Sequence, residues 1–301
     1  MVSFSIIIAT HCRAAFLKEC IFSLFNQTLK DFEVIIAHSG ADQETRDLIE
    51  QLKPEWQNRL IYLESVEKGA APQRNEGIRV AGEEWVVFLD DDIIAEPEFI
   101  FELNKAKSEN PEAKGISGRI SNQYFETPGR FTQLILKICG VKPSDKMDGN
   151  VIGPAINFLP KKEGAKYEKI SWMPTCISAY EKKWLLDCGG FPKKFTAYSF
   201  GEDLYLSYKL SRDYPIVLNR DAILYHNDMG GRSHTDIKAL AKMEISNKAF
   251  IIKELISPKL KFILQLFLWY CYNAFRTNEP TKNKIDRILA YMSFFINYIK
   301  R

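Results

Sequence analysis

Short apolar runs alternate with helical patterns over the first third of the chain. The runs have the length and β-branched composition of buried strands, and the stretches between them repeat apolar residues at helical spacing. The predicted strands are residues 4–9, 33–37, 60–63 and 85–89, and the predicted helices are residues 17–27, 43–52 and 72–81. This β-α-β alternation predicts an α/β fold built on a parallel sheet with helices on both faces.

The pattern becomes irregular after about residue 114. The predicted strands there are residues 115–120, 216–218 and 222–225, and the predicted helices are residues 184–188 and 202–212. Residues 143–169 are rich in Pro, Gly and Lys and are predicted to form loops around one or two short strands. From Lys238 onward the pattern is helical.

Composition and charge indicate a globular protein with one distinctive segment. Hydrophobic residues make up 46% of the chain and charged residues 26%, which is enough to bury a full core. The net charge is only +3, but residues 238–301 carry 12 Lys or Arg against 4 Asp or Glu, whereas the rest carries 29 against 34. A basic, aromatic segment beside a mildly acidic body predicts an anionic surface as a partner.

The cysteines and the first residues limit the class of protein. The six cysteines are scattered and form no Cys-x-x-Cys pair, so neither a zinc site nor a disulfide framework is predicted. The first residues lack a basic segment and a small-residue cleavage site, and they are interpreted as the first strand, not as a signal peptide. A cytoplasmic location is therefore expected.

Three consecutive aspartates, Asp90, Asp91 and Asp92, follow the predicted strand 85–89. Three adjacent carboxylates repel one another unless a cation lies between them. Oxygen-rich acidic clusters suit Mg²⁺ or Mn²⁺, which in turn hold phosphates, and open α/β sheets bind ligands at the carboxyl ends of strands. The alternative is an acidic turn without a ligand.

Two further segments suit an anionic ligand. Thr10 and Arg13 lie where the first strand ends and a helix begins, and free helix N–H groups bind phosphates. Arg74 and Asn75 lie on a short helix with small residues that allow close backbone approach, and an arginine there can hold a phosphate or orient a carboxylate. A simple helix cap and a solvated surface arginine are the respective alternatives.

The second half of the chain offers an acid pair and a histidine. Glu202 and Asp203 open a predicted helix, where they act either as helix-capping acids or as a general base for a hydroxyl. His226 follows a predicted strand. It is either a structural histidine or a metal ligand.

Taken together, these blocks resemble the family 2 glycosyltransferases. The resemblance covers about residues 3–228 and rests on the order and spacing of the blocks. The matching blocks are residues 5–10 with Arg13, 23–28, 32–36, 71–77, 88–92, 189–191 and 201–203.

The resemblance implies a GT-A fold, which is a Rossmann-like, mostly parallel central sheet flanked by helices. It implies a catalytic domain over residues 1–237, with a nucleotide-binding half to about residue 113 and an acceptor-binding half after it. Residues 238–301 form a helical, basic extension. The implied activity is metal-dependent, inverting transfer of a sugar from a nucleotide-sugar donor, with a UDP-sugar favoured. The implied acceptor is a hydroxyl of a glycan or a polyprenyl-linked lipid in bacterial surface polysaccharide or glycoconjugate synthesis, and no nucleic-acid partner is expected.

The resemblance also assigns roles to residues. Asp203 matches the catalytic base, and Glu202 matches the neighbour that positions the acceptor or the base. Asp90, Asp92 and His226 match the site of a Mn²⁺ or Mg²⁺ ion, with Asp90 reaching the ribose or a metal-bound water. The donor side comprises Thr10, Arg13, His38, Arg74, Asn75, Asp90 and Asp91.

One departure concerns base recognition. Family members commonly carry an acid after the second strand that contacts the imide of uracil or thymine, and His38 stands in its place. A neutral imidazole can still accept one hydrogen bond from an imide N–H. The nucleotide therefore stays open.

The segment 229–234 is glycine-hinged and basic. It is predicted to form a lid over the diphosphate with Arg232 or His234 touching it, and an exposed flexible loop is the alternative.

Residues 262–275 and 288–299 form aromatic, apolar helices. They are too short to cross a bilayer but suit the anionic inner face of a cell membrane. Packing on the catalytic domain or a dimer contact is the alternative. The flanking cations are Lys259, Lys261, Arg276, Lys282, Lys284, Arg287, Lys300 and Arg301.

The sequence argues against three other classes of protein. A nucleotidyltransferase needs a glycine-rich loop that ends in Thr-Arg after the first strand, and residues 9–13 do not supply it. A non-catalytic nucleotide-sugar-binding module would keep Asp90 and Asp92 but has no use for Asp203. A Rossmann dehydrogenase is disfavoured because Gly-x-Gly-x-x-Gly is missing after the first strand.

Overall fold

A computed structural model describes residues 4–40, 42–142, 144–196, 199–227 and 236–300. The chain forms two compact units. The first unit comprises Met1–Tyr124 and Leu159–Met229, and the second comprises Phe125–Phe158 and Gly230–Arg301. The sequence placed residues 125–158 in an acceptor-binding half, whereas here they belong to the same unit as the C-terminal helices.

The elements of the first unit follow in chain order. They are β1 Phe4–Thr10, α1 Ala14–Phe25, β2 Phe32–His38, α2 Gln43–Trp56, β3 Leu60–Glu64, α3 Ala70–Val80, β4 Trp85–Asp90, β5 Ile93–Ala95, α4 Phe99–Glu109 and β6 Gly115–Ile120. The second unit then contributes α5 Arg130–Ile138, β7 Val151–Ile152 and β8 Ile156–Asn157. The first unit resumes with β9 Tyr167–Ile170, β10 Ile177–Glu181, α6 Lys182–Asp187, α7 Glu202–Ser211 and β11 Ile216–His226. The second unit ends with α8 Ile237–Ile251, α9 Leu260–Arg276 and α10 Thr281–Ile299.

Nine strands of the first unit form one sheet within the described residues. Its order is β3-β2-β1-β4-β10-β6-β11-β5, and β9 also pairs with β11. The pairs among β1, β2, β3 and β4 are parallel, as the alternation predicts. However, β10 runs antiparallel to both β4 and β6, so the complete sheet is mixed.

The central strand β1 is buried on both faces, as its apolar run predicts. Phe4, Ile6 and Ile8 belong to the core cluster that also contains the buried face of α1. Ile7 points to the other face, where a Cβ on Gly77 of α3 would come within 2.6 Å of its side chain. The lack of a side chain at Gly77 therefore lets α3 lie close against β1, which fixes the height of Arg74 above the sheet.

Several boundaries differ from the sequence prediction. Helix α1 ends at Phe25 instead of 27, because Gln27 turns its buried amide to the carbonyl of Glu96 and to the N–H of Ile100. The two predicted strands 216–218 and 222–225 are one strand, β11, with an irregular register between Leu218 and Ile223. The sequence missed β5, α4, α5 and β10, which lie outside the regular β-α-β pattern.

The second unit is mostly helical. Helix α10 packs on α8 and α9, and α5 packs on α9. Part of the aromatic content is used inside this unit, where Phe267 stacks on Phe295 and Tyr270 meets the edge of Tyr291. No helix in the described parts of the chain has both the length and the hydrophobicity that a membrane crossing requires.

A substitution at Gly118 tests how closely β6 and β11 must pair. A Cβ at Gly118 would lie 2.4 Å from the main-chain oxygen of Ala222, which cannot rotate away as a side chain could. We expect Gly118→Ala to lower the free energy of unfolding by about 2 kcal/mol, as overpacking does in a buried site. Urea unfolding measures the change. Gly129→Ala is the control, because a Cβ there meets nothing within 4 Å. Equal free energies of unfolding for the two variants would contradict the prediction.

Candidate active site

The carboxyl ends of β1, β2 and β4 form one edge of the sheet. The register of β1 and β2 places Thr10 beside His38, and β4 ends next to them at Asp90. Gln73 of α3, which is buried, donates from its amide to the carbonyls of Thr10 (2.8 Å) and Ala37 (2.5 Å). The amide therefore holds the ends of two strands at a fixed separation, a role that the sequence analysis did not assign.

Asp91 faces inward and is held by protein groups. The hydroxyl of Thr10 donates to one of its oxygens (2.6 Å) and Arg13 donates to the other (2.7 Å). The second guanidinium nitrogen of Arg13 reaches Asp92 at 2.8 Å. Burial raises the pKa of Asp91 to about 6, although Thr10 and Arg13 act in the opposite direction. Asp91 thus orders the loop, and its predicted contact with the donor stays a prediction.

Arg74 links the two acidic parts of the site. Its guanidinium donates to Asp90 at 2.6 Å and to Glu202 at 3.0 Å, and its side chain is only 3% exposed. The ring of Phe191 lies below it at 5.9 Å. Burial raises the pKa of Glu202 to about 8, the nearby Asp203 carboxylate adds to the effect, and Arg74 opposes it. The sequence predicts that Arg74 holds a phosphate or orients a carboxylate, and in this structure it pairs with two carboxylates.

Asn75 fastens the Gly-Gly-Phe turn to α3. Its amide donates to the carbonyl of Phe191 (2.8 Å) and accepts from the N–H of the same residue (2.9 Å). Gly189 and Gly190 adopt φ values of +81° and +66°, which favour glycine. A Cβ at Gly190 would also come within 2.4 Å of the Asn75 side chain. Asn75 is thus bonded to the backbone of the turn, and its donor-binding role stays a prediction.

Asp203 lies in the first turn of α7, next to Glu202. One of its carboxylate oxygens accepts from the N–H of Leu204 (2.6 Å), and the other accepts from the indole N–H of Trp172 (3.3 Å). The carboxylate is therefore oriented from two sides while it remains partly exposed. Trp172 was missed, since nothing in the irregular segment before β10 marks one tryptophan as a partner of an acid on another element.

His226 lies close to each of the other two predicted metal ligands, Asp90 and Asp92. His226 pairs with Ile93 in the sheet, and its Nε2 lies 3.5 Å from an oxygen of Asp92. Ligand atoms of Asp90, Cys176 and His226 all lie within 4.8 Å of one another. That oxygen of Asp92 and the Nδ1 of His226 are buried without a hydrogen-bond partner in the described part of the chain. Such unsatisfied polar atoms and this donor set fit a divalent cation.

His38 is more enclosed than the sequence suggested. Its ring is fully buried, with one nitrogen 2.8 Å from the hydroxyl of Tyr62 and the other 2.6 Å from Asp42. Although burial acts to raise it, the pKa of Asp42 is lowered by the hydrogen bonds from Thr45 and His38. Both nitrogens of the ring are engaged, so contact with a base imide would require one of these bonds to break.

Arg232 and the rest of the predicted lid, residues 229–234, lie outside the described residues. The lid therefore stays a prediction.

Comparison with known proteins identifies the family of the chain. The model of the family described as glycosyl transferase family 2 matches residues 5–185. Validoxylamine A glucosyltransferase of Streptomyces hygroscopicus subsp. jinggangensis is 24% identical over 227 residues, which are 72% of this chain and 54% of that protein. The chain spans about half the length of the first curated relatives it matches.

Two solved structures share the fold. S. aureus TarS 1-349 in complex with UDP-GlcNAc has a TM-score of 0.63 and 16% identity, over 99% of this chain and 81% of that chain. The mannosyltransferase PcManGT from Pyrobaculum calidifontis, in complex with GDP-Man and Mn²⁺, has a TM-score of 0.54 and 16% identity, over 97% of this chain and 69% of that chain. The predicted GT-A fold is confirmed. Because the family model also covers more than half of its length, the chain belongs to glycosyl transferase family 2.

Proposed function

We propose that the protein is a metal-dependent, inverting glycosyltransferase that moves a sugar from a nucleotide-sugar donor to a hydroxyl of a glycan or lipid-linked acceptor. One observation carries the proposal. Buried Arg74 bonds through one guanidinium nitrogen to Asp90, which lies close to His226, and through the other to Glu202, the neighbour of Asp203. This pairing supports a donor site and a base that are linked through one arginine.

The residues proposed to bind the donor lie at or just after the ends of strands. Asp90, Asp92 and His226 would hold a Mn²⁺ or Mg²⁺ ion, which supplies positive charge for the diphosphate of the donor. Of the two structural neighbours, one is a complex with UDP-GlcNAc and the other a complex with GDP-Man and Mn²⁺. These neighbours support a nucleotide sugar as the donor. A UDP-sugar is favoured, while the enclosed ring of His38 leaves the base open.

The base side follows from α7. Asp203 accepts the proton of the acceptor hydroxyl while that oxygen attacks the anomeric carbon from the face opposite the leaving diphosphate. One displacement of this kind inverts the configuration without a covalent intermediate. Trp172 and the N–H of Leu204 hold the carboxylate in one orientation, and Glu202 keeps α7 in place through Arg74.

The second unit is proposed to dock on an anionic membrane surface at the inner face of the cell membrane. Helix α5 exposes Phe131, Leu134 and Ile138, which share one helical face. Helix α9 exposes Leu264 and Leu268 in the same way. Amphipathic helices with flanking cations bind anionic lipids, and a lipid-linked acceptor would lie at that surface.

One cation that the sequence assigned to this surface has a different role. The side chain of Arg287 is only 12% exposed and is paired with Glu244 (3.0 Å) and Glu279 (2.9 Å) inside the second unit. Lys248, another cation of the basic segment, is buried and donates to the carbonyl of Ala155 at 2.8 Å. The positive charge of the proposed docking surface therefore comes from the other lysines and arginines of the basic segment, residues 238–301.

Asp203→Asn tests the proposed base. Asparagine retains the shape of the side chain and an oxygen that can accept a hydrogen bond, but it cannot take a proton, so we expect hydrolysis of UDP-GlcNAc or UDP-glucose to fall by about 100-fold or more. The thermal shift caused by the same nucleotide sugars with Mn²⁺ should persist.

Asp187→Asn is the matched control, because Asp187 is an exposed acid paired with Lys183 at the end of α6. Full activity of Asp203→Asn would exclude Asp203 as the base. If no nucleotide sugar in a panel shifts the melting temperature of the wild-type protein, the proposed function fails.

Arg74→Leu tests the link between the two sides. It leaves the carboxylates of Asp90 and Glu202 without their shared cation, so we expect a loss of about 3 kcal/mol in the free energy of unfolding. Urea unfolding measures it. Arg46→Leu breaks an exposed pair with Glu64 and should leave the midpoint near that of the wild type. Similar midpoints for the two variants would show that Arg74 does not bridge the acids.

Vesicle binding tests the docking surface. We expect the protein to sediment with phosphatidylglycerol vesicles and not with phosphatidylcholine vesicles, and Phe131→Ser with Leu134→Ser to reduce the bound fraction at least about fivefold. Phe22→Ser on α1 is the control, since Phe22 and Phe131 are both 66% exposed. Absence of binding by the wild type, or equal losses in both variants, would exclude the surface.

A further inference from the structure

Cys176 lies at the predicted metal cluster, although the sequence analysis gave no cysteine a role. It immediately precedes β10, and the antiparallel pairing of Ile177 with Leu89 brings it to the end of β4, beside Asp90. The residue is 7% exposed. Cys176 reaches this edge because β10 runs antiparallel to β4. A parallel strand would place its carboxyl end here, and Cys176 would lie at the opposite edge of the sheet.

The distances suit ligands of one ion. The sulfur of Cys176, an oxygen of Asp90 and a nitrogen of His226 all lie within 4.8 Å of one another. Metal–sulfur and metal–nitrogen bonds are about 2.3 and 2.0 Å long, so two such ligands in the tetrahedral shell that Zn²⁺ prefers are about 3.5 Å apart. Small rotations of the side chains would therefore bring the three atoms into one coordination shell.

A second observation indicates that a ligand belongs at this point. On the Arg13 side of the triplet, both oxygens of Asp91 are bonded to protein groups. By contrast, an oxygen of Asp92, 3.5 Å from the Nε2 of His226, and the Nδ1 of His226 are buried without a hydrogen-bond partner among the described residues. Buried polar atoms are rarely left unsatisfied, and these two border the cluster.

The donor set determines which ions bind. Oxygen ligands suit Mg²⁺ and Mn²⁺ equally, whereas a thiolate selects softer transition-metal ions. We propose that Cys176 supplies a sulfur ligand at this site, so that the site prefers Co²⁺ and Zn²⁺ over Mg²⁺. Binding forms a metal–sulfur bond, and the thiol proton leaves to the solvent. The inference rests on the proposed metal site and not on the transfer reaction.

A buried cysteine often serves only as a small apolar core residue, and Cys176 also contacts the core cluster. Absorption spectroscopy separates the two roles without an activity measurement. Titration of the full chain with Co²⁺, alone and with UDP, should produce the near-ultraviolet charge-transfer band of a cobalt–thiolate bond. Cys176→Ser should abolish the band and weaken Co²⁺ and Zn²⁺ binding by about tenfold or more, with Mg²⁺ binding unchanged.

Two other cysteines provide matched controls. Cys20 is fully buried near the same triplet, with its sulfur 3.6 Å from the carbonyl of Asp90, but it lies outside the cluster. Cys12 is exposed at the end of β1. Cys20→Ala and Cys12→Ala should both retain the band. A band that disappears only in Cys12→Ala would assign the thiolate to Cys12 and overturn the proposal.

Other results would also overturn the proposal that Cys176 is a metal ligand. If the wild type binds Mn²⁺ and Co²⁺ without the band, and Cys176→Ser binds them equally well, the metal site stands and Cys176 is not a ligand. If calorimetry detects no binding of either ion, with or without UDP, the metal dependence in the proposed function fails as well. The ¹¹³Cd resonance of the wild-type protein reports a sulfur ligand directly. It therefore answers the question if Cys176→Ser does not fold, and a shift typical of oxygen and nitrogen ligands alone would overturn the proposal.

Discussion

A buried guanidinium, that of Arg74, is the constraint on which the candidate site depends. A charge of this kind is stable away from water only when it is paired and hydrogen-bonded, and Arg74 meets the condition with Asp90 and Glu202. Asp90 ends a strand of the sheet, whereas Glu202 begins α7. One ion-pair network therefore sets the distance between the residues proposed to hold the donor and the residue proposed to act as base.

The sheet explains why these residues come together. Parallel strands β1, β2 and β4 end at the same edge, which brings Thr10, His38 and Asp90 close to one another. The reversed direction of β10 brings the segment before it to that edge, with Trp172 and Cys176. The groups proposed to bind the donor thus lie at the carboxyl ends of β1, β2 and β4. Trp172, which bonds to Asp203, instead precedes the amino end of the neighbouring strand β10.

Much of the first half could be predicted from the sequence because its signals are local. Apolar runs and helical spacing identified β1 to β4 and α1 to α3, and three adjacent aspartates marked the edge of the sheet. What could not be predicted depends on distant partners. Nothing in the order of residues shows that Trp172 bonds to Asp203, or that Asn75 bonds to the backbone of Phe191. Helix α5 was missed because it follows an irregular segment, although its apolar face is clear once its limits are known.

The attachments of α3 have a consequence for chain entropy. Asn75 holds Phe191 and its neighbour Arg74 holds Glu202, so both ends of the span between Phe191 and Glu202 are fixed to a single turn of helix. The entropic cost of closing such a loop grows only with the logarithm of its length. Changes in the length of this span should therefore cost less stability than the loss of either anchor.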